Sequence, residues 1–151
     1  MLAQNKSGWT LLEYLNILEK DISMYENVTG SYAIIMVGDK LLVGYNGWRK
    51  QWEIPAGGIE ENETPRQAAI RELYEETHQQ NSDLIFKGLF KVKDARGVLK
   101  YQAVFVGKME ELTPFLHVKG DEMEKLYLWD MKEQIGYVDE CDVKIAEIVI
   151  E

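Results

Sequence analysis

Three glutamates, Glu72, Glu75 and Glu76, stand at i, i+3 and i+4 in the run Arg71-Glu72-Leu73-Tyr74-Glu75-Glu76. On a helix of about 3.6 residues per turn they share an arc of about 100° on one side. Like charges so placed repel, by about 0.2–0.5 kcal/mol per pair. Arg71 offsets part of this through Glu75, its i+4 neighbour, but one guanidinium does not neutralise three carboxylates. Acids that edge an apolar stripe without basic partners of their own suit a hard divalent cation with oxygen ligands, such as Mg²⁺. The solvated face of an ordinary amphipathic helix also carries acidic runs. The surroundings of the run decide between the two.

Those surroundings predict a helix and its lead-in. A glycine pair, Gly57-Gly58, opens an acidic loop that ends at Thr64. Thr64 suits the N-cap, Pro65 the first helical position, and Gln67 completes a T-x-x-Q capping box. Such a cap stabilises a helix start by about 1 kcal/mol. Ala69, Ile70, Leu73 and Thr77 then form a stripe at helical spacing beside the glutamates.

The whole frame is Gly57, five residues, Glu63, seven residues, then Arg71-Glu72-Leu73-x-Glu75-Glu76. It resembles the signature of the Nudix hydrolases, with every charged position present at its spacing. Two positions depart from it: His78 replaces a glycine and Gln79 an aliphatic residue. Loss of the glycine, which ordinarily ends the helix in a left-handed conformation, predicts that the helix runs on toward Asn81. The preceding Trp52-Glu53-Ile54-Pro55-Ala56-Gly57-Gly58 is also similar to the family.

The resemblance implies an α/β fold, an α/β/α sandwich with a mixed β-sheet. It implies hydrolysis of a nucleoside diphosphate linked to another moiety, by water attack at phosphorus. Mg²⁺ would be the cofactor, with Mn²⁺ able to substitute, held by Glu72, Glu75, Glu76, the Ala56 carbonyl and a loop acid, for which Glu122 is the candidate. The general base stays open among these acids. Glu63 and Arg71 would orient loop and helix, and Gly57 and Leu73 are structural positions of the motif. A nucleoside triphosphate (oxidised or not) and an ADP-ribose or nucleotide-sugar type of substrate are both compatible. The alternative is a non-catalytic module that keeps the fold and binds a nucleotide or a partner protein. A homodimer is compatible with the family.

Elsewhere the pattern predicts the remaining elements. Leu11, Leu15, Leu18, Ile22 and Tyr25 recur at helical spacing, with Thr10 and Glu13 as a second capping box and Trp9 as a staple. They predict an extra N-terminal helix over 7–26, and hence a helical extension over 1–28 ahead of a domain over 29–151. Strands are expected at 32–37, 41–45, 52–55, 83–92, 98–106 and 126–129. The apolar spacing over 139–150 fits a helix or a strand; the resemblance implies a closing helix. Arg49, Lys50 and Arg96 are the basic candidates for phosphate contacts, although each type is also an ordinary solvated charge.

A net charge of −9 argues against polymeric DNA or RNA as a partner, which requires a basic footprint. It also means that an anionic substrate needs cations at the site. The one cysteine, Cys141, allows no intrachain disulfide and points to a reducing compartment. No signal-peptide pattern and no run of membrane-spanning length is present. The expected location is cytoplasmic, away from membranes.

Overall fold

Strand β3 (Val28–Val37) is apolar on both faces, with Ala33, Ile34 and Ile35 fully buried. Successive side chains of a strand point to opposite sides. Ile34 therefore joins one apolar layer with Val104 and Ile145, while Ala33 and Ile35 join another with Leu73 and Phe105. A strand covered twice must lie inside a sheet that is packed on both sides.

The computed structural model describes residues 1–150, so the expected domain end at Glu151 lies outside the described residues. The other strands are β1 (Ala3–Gln4), β2 (Thr10–Leu15), β4 (Lys40–Asn46), β5 (Gln51–Glu53), β6 (Ala56–Gly58), β7 (Ile85–Lys93), β8 (Leu99–Met109) and β9 (Met123–Trp129). Among the described residues they make one mixed sheet in the order β1-β2-β7-β8-β3-β4-β5, with β6 on β3 and β9 on β4. The β3–β8 pair is parallel and the other strand pairs are antiparallel. Helix α1 (Pro65–Thr77) packs on one face through Ala69 and Leu73, and α2 (Glu140–Val149) on the other through Ile145, Ala146 and Val149. The fold is an α/β/α sandwich.

The N-terminal helix expected over 7–26 does not form. That stretch is strand β2 followed by a 3₁₀ turn over Glu19–Met24. The reason is the open edge of β7, whose backbone groups would otherwise lack partners. Leu11 pairs with Val92, Glu13 with Lys91 and Tyr14 with Phe90. Leu11 is fully buried, the Tyr14 and Phe90 rings stack with centroids 4.9 Å apart, and the Tyr14 hydroxyl donates to Lys87 O. A Cβ on Gly88 would lie 2.5 Å from Leu15 O, and its φ of +138° suits only glycine, so this residue lets the strands close. Thr10 and Glu13 sit within β2 and form no capping box.

Helix α1 begins as its sequence predicts. Gln67 N–H donates to Thr64 Oγ1 (3.1 Å), and Thr64 N–H donates to Gln67 Oε1 (2.9 Å). It ends earlier than expected. His78 itself takes the left-handed conformation (φ 63°, ψ 16°), and its N–H donates to Tyr74 O. Packing holds this costly geometry in a non-glycine residue: the His78 ring lies 4.8 Å from that of Phe115, and buried Gln79 exchanges hydrogen bonds with the backbone of Thr113.

Two stability predictions follow from these departures. Leu11→Ala lowers unfolding free energy by about 2–5 kcal/mol, whereas Leu18→Ala, at a side chain 62% exposed, changes it by no more than about 0.5 kcal/mol; urea denaturation reads both. At the end of α1, His78→Val costs about 1–2 kcal/mol because a β-branched residue resists the left-handed conformation. His78→Gly is nearly neutral, since relief of strain offsets loss of the ring contact, and thermal melts of the two variants separate the effects.

Candidate active site

The acidic loop and α1 are joined at Arg71. Its Nε donates to Glu63 Oε2 (2.7 Å) and its Nη2 to Glu63 Oε1 (2.9 Å) and Gly58 O (2.8 Å). Nη1 reaches Glu72 Oε1 (2.8 Å) and Glu75 Oε1 (2.9 Å). This fork holds the Glu63 carboxyl down at about 2, together with the Glu60 N–H that also donates to it. Gly57 is required for a second close approach: a Cβ there would lie 2.2 Å from the carboxyl carbon of Glu72. Leu73 is fully buried beneath the sheet and turns the acids outward.

Glu76 is treated differently. It is half-buried, and Ala56 N–H donates to its Oε1 at 2.9 Å. Burial pushes its carboxyl up to about 9, against that hydrogen bond, and the fields of Glu72, Glu122 and Glu53 push the same way. No cationic side chain lies within ion-pair distance of Glu76 among the described residues. Burial also raises the Glu72 carboxyl, in spite of Arg71.

A third group faces these acids. Buried Glu53 accepts from Arg49 Nε (2.7 Å), Gln51 Nε2 (2.5 Å) and Asn46 Nδ2 (3.1 Å). Burial alone would raise its carboxyl, but these donors outweigh it and hold it low. Glu122, from the loop before β9, accepts from Asn46 Nδ2 (2.6 Å) and Arg49 Nη2 (2.8 Å). Asn46 in turn fixes the β4–β5 turn, since its Oδ1 accepts from the amides of Trp48 and Arg49, both at 3.0 Å.

Of the candidates, Ala56, Gly57 and Arg49 line one cleft; Glu63, Glu72 and Glu75 are joined through Arg71, Glu76 meets the Ala56 amide, and Glu122 meets Arg49. The other two basic candidates lie elsewhere. Lys50 is exposed on the β4–β5 turn (φ 56°), and Arg96 is exposed at the tip of the β7–β8 hairpin, where Asp94 orders the backbone. Neither lines the cleft; Lys100 does. Reasoning from sequence also missed Glu53, Asn46, Gln51, Asp139 and Asp142. Glu53 alone carried a usable signal, an acid in the otherwise apolar stretch 52–55 directly before the glycine loop. The cleft measures about 530 Å³ and is lined by Gly57, Arg49 and Glu53 together with Asp139 and Asp142.

The donor set is of the kind a hard cation takes: carboxylates on α1, β5 and the loop before β9 feel one another's charge, and Glu76 lacks a counter-charge. Among the described residues, however, no three acidic, histidine or cysteine side chains draw together into a ready-made cage. Arg71 and Arg49 hold Glu72, Glu75, Glu53 and Glu122 in ion pairs and hydrogen bonds instead.

Comparison with known proteins bears on the same residues. The family model described as NUDIX domain matches residues 28–142. RNA pyrophosphohydrolase of Rhizobium meliloti (strain 1021) is 45% identical over 53 residues, covering 33% of this chain and 32% of that protein. The Agrobacterium fabrum protein of the same name is 38% identical over 61 residues, 38% of this chain and 36% of that one. The chain therefore matches about a third of the length of these curated relatives. Among solved structures, the Bacillus subtilis pyrophosphohydrolase BsRppH superposes with a TM-score of 0.72 at 17% identity, over 98% of this chain and 92% of that one. A MutT NUDIX hydrolase from Burkholderia pseudomallei gives 0.66 at 18% identity, over 81% and 96%. These likenesses extend the agreement in fold beyond the matched segment, and the chain belongs to the Nudix hydrolase family.

Proposed function

We propose that the protein is a Mg²⁺-dependent pyrophosphohydrolase that cleaves a nucleoside diphosphate linked to another moiety. The observation that carries this reading is Glu76: a half-buried carboxyl with no cationic partner, in the field of three other acids. Such an arrangement costs stability by itself and is rational where a cation completes it.

Glu72, Glu75 and Glu76 would hold the metal, with Glu122 and the Ala56 backbone beside them. When bound, Mg²⁺ supplies charge to the phosphoryl oxygens and lowers the pKa of a water. The protein's own contribution is positional. Arg71 fixes Glu72 and Glu75 relative to the glycine loop, and Ala56 N–H fixes the Glu76 carboxyl. Arg49 stands at the phosphate end of the cleft, where its half-exposed guanidinium can leave Glu122 for a phosphoryl oxygen. A Glu76 or Glu122 carboxylate near the attacked phosphorus can take the proton of the attacking water.

The names of the curated relatives make the 5′ end of an RNA one substrate to test, beside nucleoside triphosphates and ADP-ribose or nucleotide-sugar compounds. The charge of −9 favours recognition of a terminal nucleotide over that of a polymer. The ion pairs of Arg71 and Arg49 with Glu72, Glu75, Glu53 and Glu122 also suit a second reading, a nucleotide-binding module without catalysis. The single buried cysteine, Cys141, whose thiol burial pushes up to about 12, suits a reducing compartment such as the cytoplasm.

Chromatographic product analysis, with and without Mg²⁺, across nucleoside triphosphates, ADP-ribose, nucleotide sugars and a 5′-triphosphorylated RNA oligonucleotide tests the proposal, reading pyrophosphate or phosphate from the triphosphates and a nucleoside monophosphate with a sugar phosphate from the others. Metal-dependent turnover of one class is expected. No turnover together with nucleotide binding leaves the second reading. Glu76→Gln is expected to lower kcat at least about 100-fold, the scale of losing one electrostatic or acid–base group, with the fold intact by circular dichroism.

The raised Glu76 carboxyl also predicts a pH dependence. Between 4.5, its ordinary value, and about 9, the folded state holds a proton that the unfolded state has released. Metal-free stability contributed by this group is therefore present at low pH and lost as pH rises through that window. Melting temperatures of the metal-free protein are expected to fall more between pH 5 and 9 in the wild type than in Glu76→Gln.

A further inference from the structure

The two positions at which the chain departs from the Nudix signature, His78 and Gln79, act as a pair. The left-handed turn at His78 ends α1, and the Gln79 side chain behind it is fully buried. There the Gln79 amide does what a piece of strand backbone would do. Its Nε2 donates to Thr113 O (2.8 Å) and Thr77 O (3.0 Å), and its Oε1 accepts from Thr113 N–H (2.8 Å). The Thr113 hydroxyl lies 3.0 Å from that Oε1 and 3.2 Å from His78 O, and the His78 ring meets Phe115 beside it. An aliphatic side chain at position 79 could make none of the Gln79 bonds.

Thr113 leads into the segment that carries Glu122. Strand β8 ends at Met109 and β9 begins at Met123. Leu112 packs on the apolar layer that α1 covers, but beyond Thr113 the chain has little to hold it. Among the described residues, 114–121 make one hydrogen bond outside the segment, between His117 Nδ1 and Met123 O. Leu116 and Val118 are exposed. The far end is fixed at the acidic site, where Gly47 N–H donates to Glu122 O (3.0 Å) and Asn46 and Arg49 hold the carboxylate. Holding each residue of such a segment in one conformation costs entropy. With so few contacts of its own, its course is set by its two attachments.

We propose that Gln79 is a positioning residue of the acidic site: by clasping Thr113 it sets the course of residues 114–121 and so the place of Glu122. Gln79 hydrogen-bonds to none of the acids itself. Helix α1 thus carries Glu72, Glu75 and Glu76 directly, and from its end it also steers an acid delivered by a distant loop. The placement of Glu122 stands on the geometry alone; its consequence for a metal rests on the proposed hydrolase reading.

The test uses the full chain carrying Gln79→Leu, Glu122→Gln or both. In the metal-free protein, hydrogen exchange of the Gly47 amide reports whether Glu122 is in place. Gln79→Leu is expected to speed that exchange about tenfold relative to the amides of the β3–β8 ladder, the scale of losing one net hydrogen bond. Equal changes at both places, or none, overturn the proposal. Mn²⁺ alone is then titrated by calorimetry. Gln79→Leu is expected to weaken its binding about tenfold, the low end for residues that orient ligands. In the Glu122→Gln background the same substitution should change Mn²⁺ affinity by less than about twofold, while its cost in melting temperature stays the same, because stability effects of separate sites add. No loss of affinity in Gln79→Leu, or a loss that persists in Glu122→Gln, overturns the proposal. If Gln79→Leu does not fold, Thr113→Ala, which removes only the hydroxyl contacts, carries the same comparisons with shifts of about threefold. If the wild type binds no Mn²⁺ and hydrolyses nothing, the hydrolase reading fails separately, and the Gly47 exchange decides this one.

Discussion

Arg71 ties an irregular loop to a regular helix, and the geometry of the acids depends on that tie. Glu63 and Gly58 lie on the loop side of its guanidinium, Glu72 and Glu75 on the helix side. A planar fork with donors in fixed directions can serve four partners at once, which a lysine ammonium cannot do with the same orientation. The pair is partly exposed, so its value is geometric more than energetic. Remove it, and the segment of residues 58–63 loses its attachment to α1 while Glu72 and Glu75 repel one another unopposed. The glycine at 57 completes the arrangement by leaving room for the Glu72 carboxyl against the backbone.

Around that joint the protein keeps an excess of negative charge in check with two arginines and one amide. Asn46 shows how: its side-chain amide bridges Glu53 and Glu122, and its carbonyl shapes the turn that delivers Arg49 to the same two acids. One residue thus places both the acids and their counter-charge. Glu76 is left outside these arrangements, and its proton affinity rises accordingly. A site in which some carboxylates are satisfied internally and one is not differs from a uniformly acidic surface, because its missing counter-charge falls at one residue.

The helix carrying the acids was legible in the sequence because its signals are local. Thr64, Pro65 and Gln67 act within one turn, and the spacing of Glu63, Arg71 and Glu72 is covalent. The central strands were legible for a similar reason, since an unbroken apolar run such as residues 32–37 has to be buried. The N-terminal segment was not. Leu11, Leu15 and Leu18 fit a helix as well as they fit anything, and only the free edge of β7, distant in sequence, makes Thr10–Leu15 a strand. His78 misled in the opposite sense: the missing glycine implied a longer helix, but Phe115 and Thr113, more than thirty residues away, hold the left-handed turn. Asp139, Gln51 and Asn5 carry no pattern that marks them; they line one cleft because the sheet and α2 bring them together. Arg96 and Lys50 looked equivalent to Arg49 by composition, and only the turn geometry at Asn46 tells them apart.

The parallel contact of β3 with β8 sets Val28 opposite Tyr101 and Val37 opposite Met109, so it closes a loop of about 70 residues. All of α1 and the glycine loop lie within that loop. Closing it costs chain entropy before the contact returns any burial, and topologies that rely on such distant partners fold slowly. A nascent chain ending between α1 and β8 can form a capped helix bearing Glu72, Glu75 and Glu76, but it lacks the β3–β8 pair at the centre of the sheet against which that helix packs. Assembly of the acidic centre is therefore a late event, tied to synthesis of the chain's final third, and a truncated product would expose the apolar faces of β3 and α1 together.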